Sequence, residues 1–228
     1  MAEEKPIVPS PEGGIVTQTY SRLEQWVLDN KIKVSIIGGA FVLLFGGWLY
    51  ITKFYMHARE EKAQGQMYMA VKNFEKDSFK LALNGDANFP GFEKVIMNYH
   101  WTKAANLAHY YAGVCELKLG KFQDAINYLK DYSLDDPLIS CMAIGDMGDC
   151  YAELGKMNEA IDQYKKAAYH HDNQLTSPMW LKKAGLALEY QKRYEEALKI
   201  YREISQKYPE SSTARDIEKY IARIEARS

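Results

Sequence analysis

Three segments of this chain are copies of one another, and a repeat of this length dictates the kind of fold before any single residue is interpreted. Gly120-Lys121-Phe122-Gln123-Asp124-Ala125-Ile126 aligns with Gly155-Lys156-Met157-Asn158-Glu159-Ala160-Ile161, and Lys192-Arg193-Tyr194-Glu195-Glu196-Ala197-Leu198 follows as a third copy. The copies start 35 and then 37 residues apart, close to the period of about 34 residues of a helix-turn-helix solenoid unit. A unit of that size cannot bury its apolar face alone, so units stack and expose a long groove suited to gripping another protein. The repeat therefore predicts an all-α solenoid built for binding.

Each copy has the same internal order: a small residue, a large apolar residue, a turn residue, an aromatic or Met, an Ala, a large residue, and a breaker. In the first copy these are Gly113, Leu117, Gly120, Phe122, Ala125, Leu129 and Pro137. The second has Gly148, Tyr151, Gly155, Met157, Ala160, Tyr164 and Asp172, and the third Gly185, Leu188, Lys192, Tyr194, Ala197, Tyr201 and Pro209. The small residues are placed where two helices of a hairpin touch, because larger side chains would force them apart.

A second feature lies before the repeats. Val34 to Ile51 carries no charge over 18 residues, which as a helix gives about 27 Å, near the thickness of bilayer hydrocarbon. Polar residues precede it and charged residues follow Tyr50, which fits a retained anchor better than a cleaved signal peptide. Gly38, Gly39, Gly46 and Gly47 share one face of this span and form a candidate packing surface for a partner's helix; glycine is also simply common in membrane helices. Charges flanking the span tie in number, with Arg22, Lys31 and Lys33 before it and Lys53, Arg59 and Lys62 after it. Only the closeness of Lys31 and Lys33 leans toward a cytoplasmic N-terminus.

The remaining segments follow in order. Residues 1–19, with Pro6, Pro9, Pro11, Gly13 and Gly14, are expected to be disordered. Residues 20–33 read as an amphipathic juxtamembrane helix, with Trp26 suited to the headgroup layer. Residues 34–51 are the transmembrane helix, and 52–104 hold a long helix from Phe54 to about Leu83 and a degenerate first repeat. Asn84-Gly85-Asp86 stops that helix and Pro90-Gly91 opens the next. Residues 105–210 carry the three clear repeats, and residues 211–228 the cap, with Ile217, Tyr220, Ile221 and Ile224 facing inward. Asn98-Tyr99-His100-Trp101-Thr102-Lys103-Ala104-Ala105 mirrors Lys207-Tyr208-Pro209-Glu210-Ser211-Ser212-Thr213-Ala214.

The repeat pattern from Ala105 to Pro209 resembles the tetratricopeptide repeat, with three departures: no Trp at the usual place, Lys192 for a turn glycine, and Asp172 for a terminal proline. The wider layout resembles the bacterial YfgM-like proteins, ancillary subunits of the Sec translocon. The strings that carry this likeness are Leu23-Glu24-Gln25-Trp26 before a Gly-rich span, Leu83-Asn84-Gly85-Asp86, and the stretch from Tyr99 to Ala105. The resemblance implies a single-pass bacterial inner-membrane protein with a cytoplasmic N-terminus and a periplasmic repeat domain. It also implies partners: Sec translocon subunits, a membrane-anchored periplasmic chaperone of the prolyl-isomerase type, and emerging exported polypeptides. The alternative built from the same parts is a cytosol-facing receptor or co-chaperone. That reading expects a carboxylate clamp of Lys and Asn in the groove, but the corresponding positions hold Tyr110, Val114, Asp146, Met179 and Lys183, of which only Lys183 has the right chemistry.

Catalytic motifs are missing: there is no HExxH, GxSxG, phosphate-binding loop or paired CxxC. No enzyme activity, cofactor or small-molecule substrate is expected. The chain has 29 Lys and Arg against 30 Asp and Glu, without the dense basic surface that phosphate neutralisation needs, so nucleic acid is not an expected partner. His170-His171-Asp172 ends a helix; adjacent side chains there are expected to diverge, with no further ligand at hand, so no metal site is expected. Asp146 and Asp149 are expected on a solvated face. Cys115, Cys141 and Cys150 are expected as small buried thiols, with a Cys115–Cys150 bridge conceivable because the two occupy equivalent repeat positions. In this repeat class the first helix of each hairpin lines the groove. That assigns partner contact to Tyr110, Tyr111, Val114, Leu117 and Lys118, to Asp146, Asp149 and Glu153, and to Lys182, Lys183, Leu186 and Tyr190. One of Tyr110 and Tyr111 is expected to pack between repeats instead.

Overall fold

The structure, a computed structural model, describes residues 24–226, so the expected tail at 1–19 and the start of the juxtamembrane helix lie outside it. Among the described residues there are helices and no strands. They divide into two compact units, with the boundary between His57 and Ala58.

In the first unit residues 24–29 are helical and Asn30 is a turn. Helix α1, Lys31–Tyr50, follows, with a π-helical turn over Ile51–Tyr55. The helix thus starts at Lys31, before the uncharged stretch, because nothing in Lys31-Ile32-Lys33 breaks helical hydrogen bonding. It is long and apolar enough to cross a membrane. Its side chains, among them Ile36, Phe41, Leu43, Leu44 and Trp48, are exposed, and a Cβ added at Gly38, Gly39, Gly46 or Gly47 would meet nothing within 4 Å.

The second unit opens within α2, Met56–Glu75, and continues with α3, Phe79–Asn84, and α4, Phe92–Tyr99. The single helix expected up to Leu83 is therefore interrupted. The amides of Lys76 and Ser78 both turn back to the carbonyl of Asn73, and Asp77 sits at φ 56°, a left-handed conformation that cannot continue a right-handed helix. Gly85 at φ 73° then ends α3 as expected. Ala63, Met67 and Ala70 of α2 are buried with Leu83, Phe92 and Val95 and with Ala104, Ala108 and Ala112 of α5, Lys103–Lys118. The Glu60 carboxylate accepts hydrogen bonds from the amides of Lys103, at 2.7 Å, and Ala104, at 3.1 Å. It thereby satisfies two amides that the first turn of α5 leaves without helical partners.

Three hairpins follow: α5 with α6, Phe122–Asp131; α7, Ile139–Glu153, with α8, Met157–His170; and α9, Thr176–Tyr190, with α10, Tyr194–Lys207. Each is closed by the same backbone turn. Gly120, Gly155 and Lys192 have φ of 77°, 71° and 62°. The amide after each donates back into the first helix, Lys121 to Glu116, Lys156 to Tyr151 and Arg193 to Leu188, the pattern of a helix end closed by a left-handed residue. Lys192 adopts the same conformation as its two glycine counterparts despite its side chain.

The hairpin seams explain the small residues. A Cβ on Gly113 would stand 2.6 Å from Leu129, on Gly148 2.6 Å from the ring of Tyr164, and on Gly185 2.3 Å from Tyr201. Ala125, Ala160 and Ala197 are fully buried in the same core. Between repeats the close approach is Gly145, whose added Cβ would meet Trp180 at 2.2 Å. Trp180 stacks on Tyr164 at 6.0 Å, so one indole fills the seam between the second and third hairpins. The last helix, α11, Ser212–Glu225, buries Ile217, Ile221 and Ile224, with Tyr220 partly buried.

Two mirrored strings noted in the sequence have one structural cause. The Thr102 hydroxyl donates to the Tyr99 carbonyl and accepts from the Ala105 amide, and Ser211 does the same with Tyr208 and Ala214. Both are helix N-caps. Cys115, Cys141 and Cys150 are free and buried. Burial pushes the Cys115 and Cys150 thiols up to about 12, which leaves them unreactive as thiolates.

Candidate functional site

Helices α5, α7 and α9 supply the residues assigned to the groove, and the structure sorts them. Leu117, Lys118 and Asp149 come together with Phe122, Glu153 and Tyr164 around an open cleft of about 560 Å³. Leu186 and Tyr190, one turn apart on α9, are both exposed, Tyr190 by 78%. Two large apolar side chains left in solvent at helical spacing are the kind of anchor a docking segment buries.

Other assigned residues do not face solvent. Val114 is buried, and Asp146 is only 8% exposed. That overturns the solvated face expected for Asp146, which lies among Tyr110 and Lys118 of α5 and Lys183 of α9, while Asp149 stays partly exposed at the cleft. Burial and the neighbouring Asp149 raise the Asp146 pKa to about 7, against the partial opposition of Lys183 and Lys118. Asp149 is engaged on both sides: it accepts from the Tyr164 hydroxyl at 2.7 Å and pairs with Lys183 at 2.6 Å. The Lys183 ammonium also lies 4.7 Å from the Trp180 ring centre. Lys182 lies over Tyr220 of α11 at 4.9 Å.

Of the two adjacent tyrosines, Tyr111 is the one that packs between repeats. Its ring stacks on Phe92 at 5.2 Å and meets Phe74 edge-on at 5.1 Å. Tyr110 is half-buried near Tyr132, and its pKa is pushed up by burial and by Asp146.

Sequence reasoning missed Trp180 and Gly145 as a complementary pair. The signal available was the extra glycine three residues before Gly148, which no hairpin contact required. It also missed that Asp172, in place of a terminal proline, ties the second repeat to the third: Asp172 pairs with Lys207 and accepts from the Tyr208 hydroxyl at 2.6 Å. His170 and His171 do not diverge as expected. Both reach Asp135, at 3.5 and 2.7 Å, because His170 ends α8 and His171 lies outside helical geometry, with φ −130° and ψ 86°.

The geometry defines a class first: a right-period helical hairpin solenoid with its own cap, and no constellation of groups arranged for catalysis emerged from the sequence. Within that class, residues 182–211 match the tetratricopeptide repeat family. Among solved structures, the nearly identical TPR-like repeats of a Podosopora anserina protein classed as a candidate kinesin light chain are similar, with a TM-score of 0.56 and 13% identity. That likeness covers 72% of this chain and 86% of the other, and it concerns the fold alone. No curated protein matches the chain. The fold is a tetratricopeptide-like helical solenoid, a protein-interaction scaffold of a kind that is typically not catalytic, accompanied, among the described residues, by one helix long and apolar enough to cross a membrane.

Proposed function

We propose that this protein is a membrane-anchored interaction scaffold, an accessory subunit of the Sec translocon that links the channel to a periplasmic chaperone of the prolyl-isomerase type. The observation that carries the reading is the conjunction of an uncharged 18-residue helix, exposed along its length, with a repeat solenoid that leaves Leu186 and Tyr190 in solvent. The layout resemblance to the YfgM-like proteins supplies the particular partners. In this reading α1 stays in the inner membrane, its glycine face packs on a neighbouring span, and the repeat domain lies in the periplasm. The cleft at Leu117, Lys118 and Asp149, together with Leu186 and Tyr190, takes a chaperone segment or an emerging chain. The charges there set register more than affinity.

Purification from native membranes tests this by separating the two surfaces. Gly39→Leu with Gly46→Leu is expected to remove translocon subunits from the co-purifying proteins and keep the chaperone. Leu186→Glu with Tyr190→Glu is expected to do the reverse. If neither pair changes what accompanies the protein, both assigned surfaces are wrong.

A further inference from the structure

We propose that Asp135, His170 and His171 form a binding site for a divalent transition-metal ion of the Zn²⁺ type, at the junction of the first two clear repeats. Asp135 lies in the loop between α6 and α7, and the two histidines lie at the end of α8. One carboxylate oxygen of Asp135 is 2.7 Å from His171 Nε2 and 3.5 Å from His170 Nε2, and the three donor atoms all lie within 4.8 Å of one another.

The two separations from Asp135 are nearly the ones a metal needs, and the two imidazole nitrogens, within 4.8 Å of each other, have to close on the ion. A tetrahedral ion with bonds of about 2.0–2.1 Å to imidazole nitrogen and carboxylate oxygen sets its ligands roughly 3.3 Å apart. The His170 separation already meets this. The His171 contact, now at hydrogen-bond distance, has to open by roughly half an ångström, within the reach of a χ adjustment on an exposed aspartate. The two rings stand edge to face, 4.6 Å apart and 70° between planes, so their nitrogens converge on the carboxylate without the rings stacking.

The backbone on both sides is fixed without any ion. The carbonyl of His171 accepts from Asn173 Nδ2 at 2.6 Å, and Asn173 Oδ1 accepts from the amides of Leu175 and Thr176. On the other side Asp136 accepts from the amides of Leu138 and Ile139, both at 2.9 Å, anchoring the residue next to Asp135. The ligands therefore need little ordering on binding, which is where much of the cost of a metal site lies.

Two imidazoles and one carboxylate suit Zn²⁺ and, in the same donor set, Ni²⁺ and Cu²⁺; Mg²⁺ and Ca²⁺ prefer oxygen ligands. Three protein ligands leave a fourth position open to water or to a partner's side chain. All three side chains are reachable from solvent, and Lys130 and Lys166 line the adjoining cavity. Their charge disfavours a cation, so the site is expected to be micromolar and not a tight structural one. A bound ion would join the linker after the first repeat to the end of the second and stiffen that junction.

The test uses the full chain in detergent micelles, stripped with chelator and titrated with ZnCl₂. One equivalent is expected to bind saturably, to raise the unfolding temperature, and to be removed by chelator. Asp135→Asn, His170→Gln and His171→Gln are each expected to weaken binding by at least about tenfold. In the unmutated protein the imidazole resonances of His170 and His171 should shift together, while those of His57, His100 and His109 stay in place. That readout stands even if a variant disturbs the loop. Absence of saturable binding, shifts shared equally by the other histidines, or unchanged affinity in the His170→Gln, His171→Gln double variant would overturn the site and leave a plain histidine–aspartate hydrogen bond.

Discussion

The Asp149 carboxylate and the Lys183 ammonium, 34 residues apart in sequence, meet at 2.6 Å across two successive repeats. This pair uses up the cation nearest the acidic side of α7, and Asp146 is the group left with the cost. It is buried beside the negative charge of Asp149 and takes only partial relief from Lys183 and Lys118, so it holds its proton to about pH 7.

That assignment fixes the direction of a pH effect. The unfolded aspartate loses its proton near the ordinary value of about 3.9, so between there and pH 7 the folded state binds the extra proton. The stability contributed is fully present below the lower value and is lost as pH rises toward 7. His109, whose pKa burial depresses, works the other way, because the unfolded chain holds its proton longer. Comparing variants isolates Asp146: Asp146→Asn is expected to be more stable than the unmutated protein at pH 8 and no better at pH 4, a difference on the order of a few kcal/mol. Parallel denaturant titrations at the two pH values would check it. Equal differences at both would mean that Asp146 is charged throughout.

The seam residues make a second prediction. Because a Cβ on Gly148 would stand 2.6 Å from the Tyr164 ring, and Ala160 is fully buried beside it, Gly148→Ala and Ala160→Trp should each destabilise the middle hairpin. Overpacking of this kind costs roughly 1–3 kcal/mol, and Ala160→Trp should be the worse of the two. An unchanged melting curve for Ala160→Trp would mean the hairpin register is wrong.

A third prediction concerns the hairpin turn that lacks glycine. Lys192 sits at φ 62°, where a side chain costs about 1–2 kcal/mol. Lys192→Gly returns part of that to the unfolded chain as entropy, so a net gain of about 0.5–1 kcal/mol and a rise of a few degrees in Tm are expected. Gly120→Ala, at φ 77°, should lower it. A fall in Tm with Lys192→Gly would show that the lysine side chain makes a compensating contact.

How much of this was legible in the sequence depends on whether a residue's role repeats. Gly113, Gly148 and Gly185 recur at one place in each copy, so their seam role could be read without coordinates. The α11 face of Ile217, Ile221 and Ile224 followed from helical spacing. Contacts between copies leave no periodic trace: Trp180 over Gly145, Asp149 with Lys183, and Asp135 with the two histidines join residues 35 or so apart whose pairing only the stack defines. Asp146 was misread because a carboxylate on a helix normally marks the solvent face. The break at Asp77 was missed because no Gly or Pro announces it.

The last prediction concerns which side of the membrane each part occupies. Val34 to Ile51 holds no charge, and under the anchored reading proposed above a helix of that length crossing hydrocarbon would put residues 1–33 and 52–228 on opposite sides. The three native cysteines are buried and free, with Cys115 and Cys150 held far from thiolate formation, so single cysteines placed at Ser10 and at Ser228 can be labelled in intact cells against a low background. An impermeant maleimide applied from outside the inner membrane is expected to reach Ser228→Cys and to spare Ser10→Cys until the membrane is opened. Labelling of Ser10→Cys alone would reverse the orientation and exclude periplasmic partners for the solenoid. Labelling of both from one side would mean that α1 does not cross, and its exposed apolar face would then have to be covered by another protein.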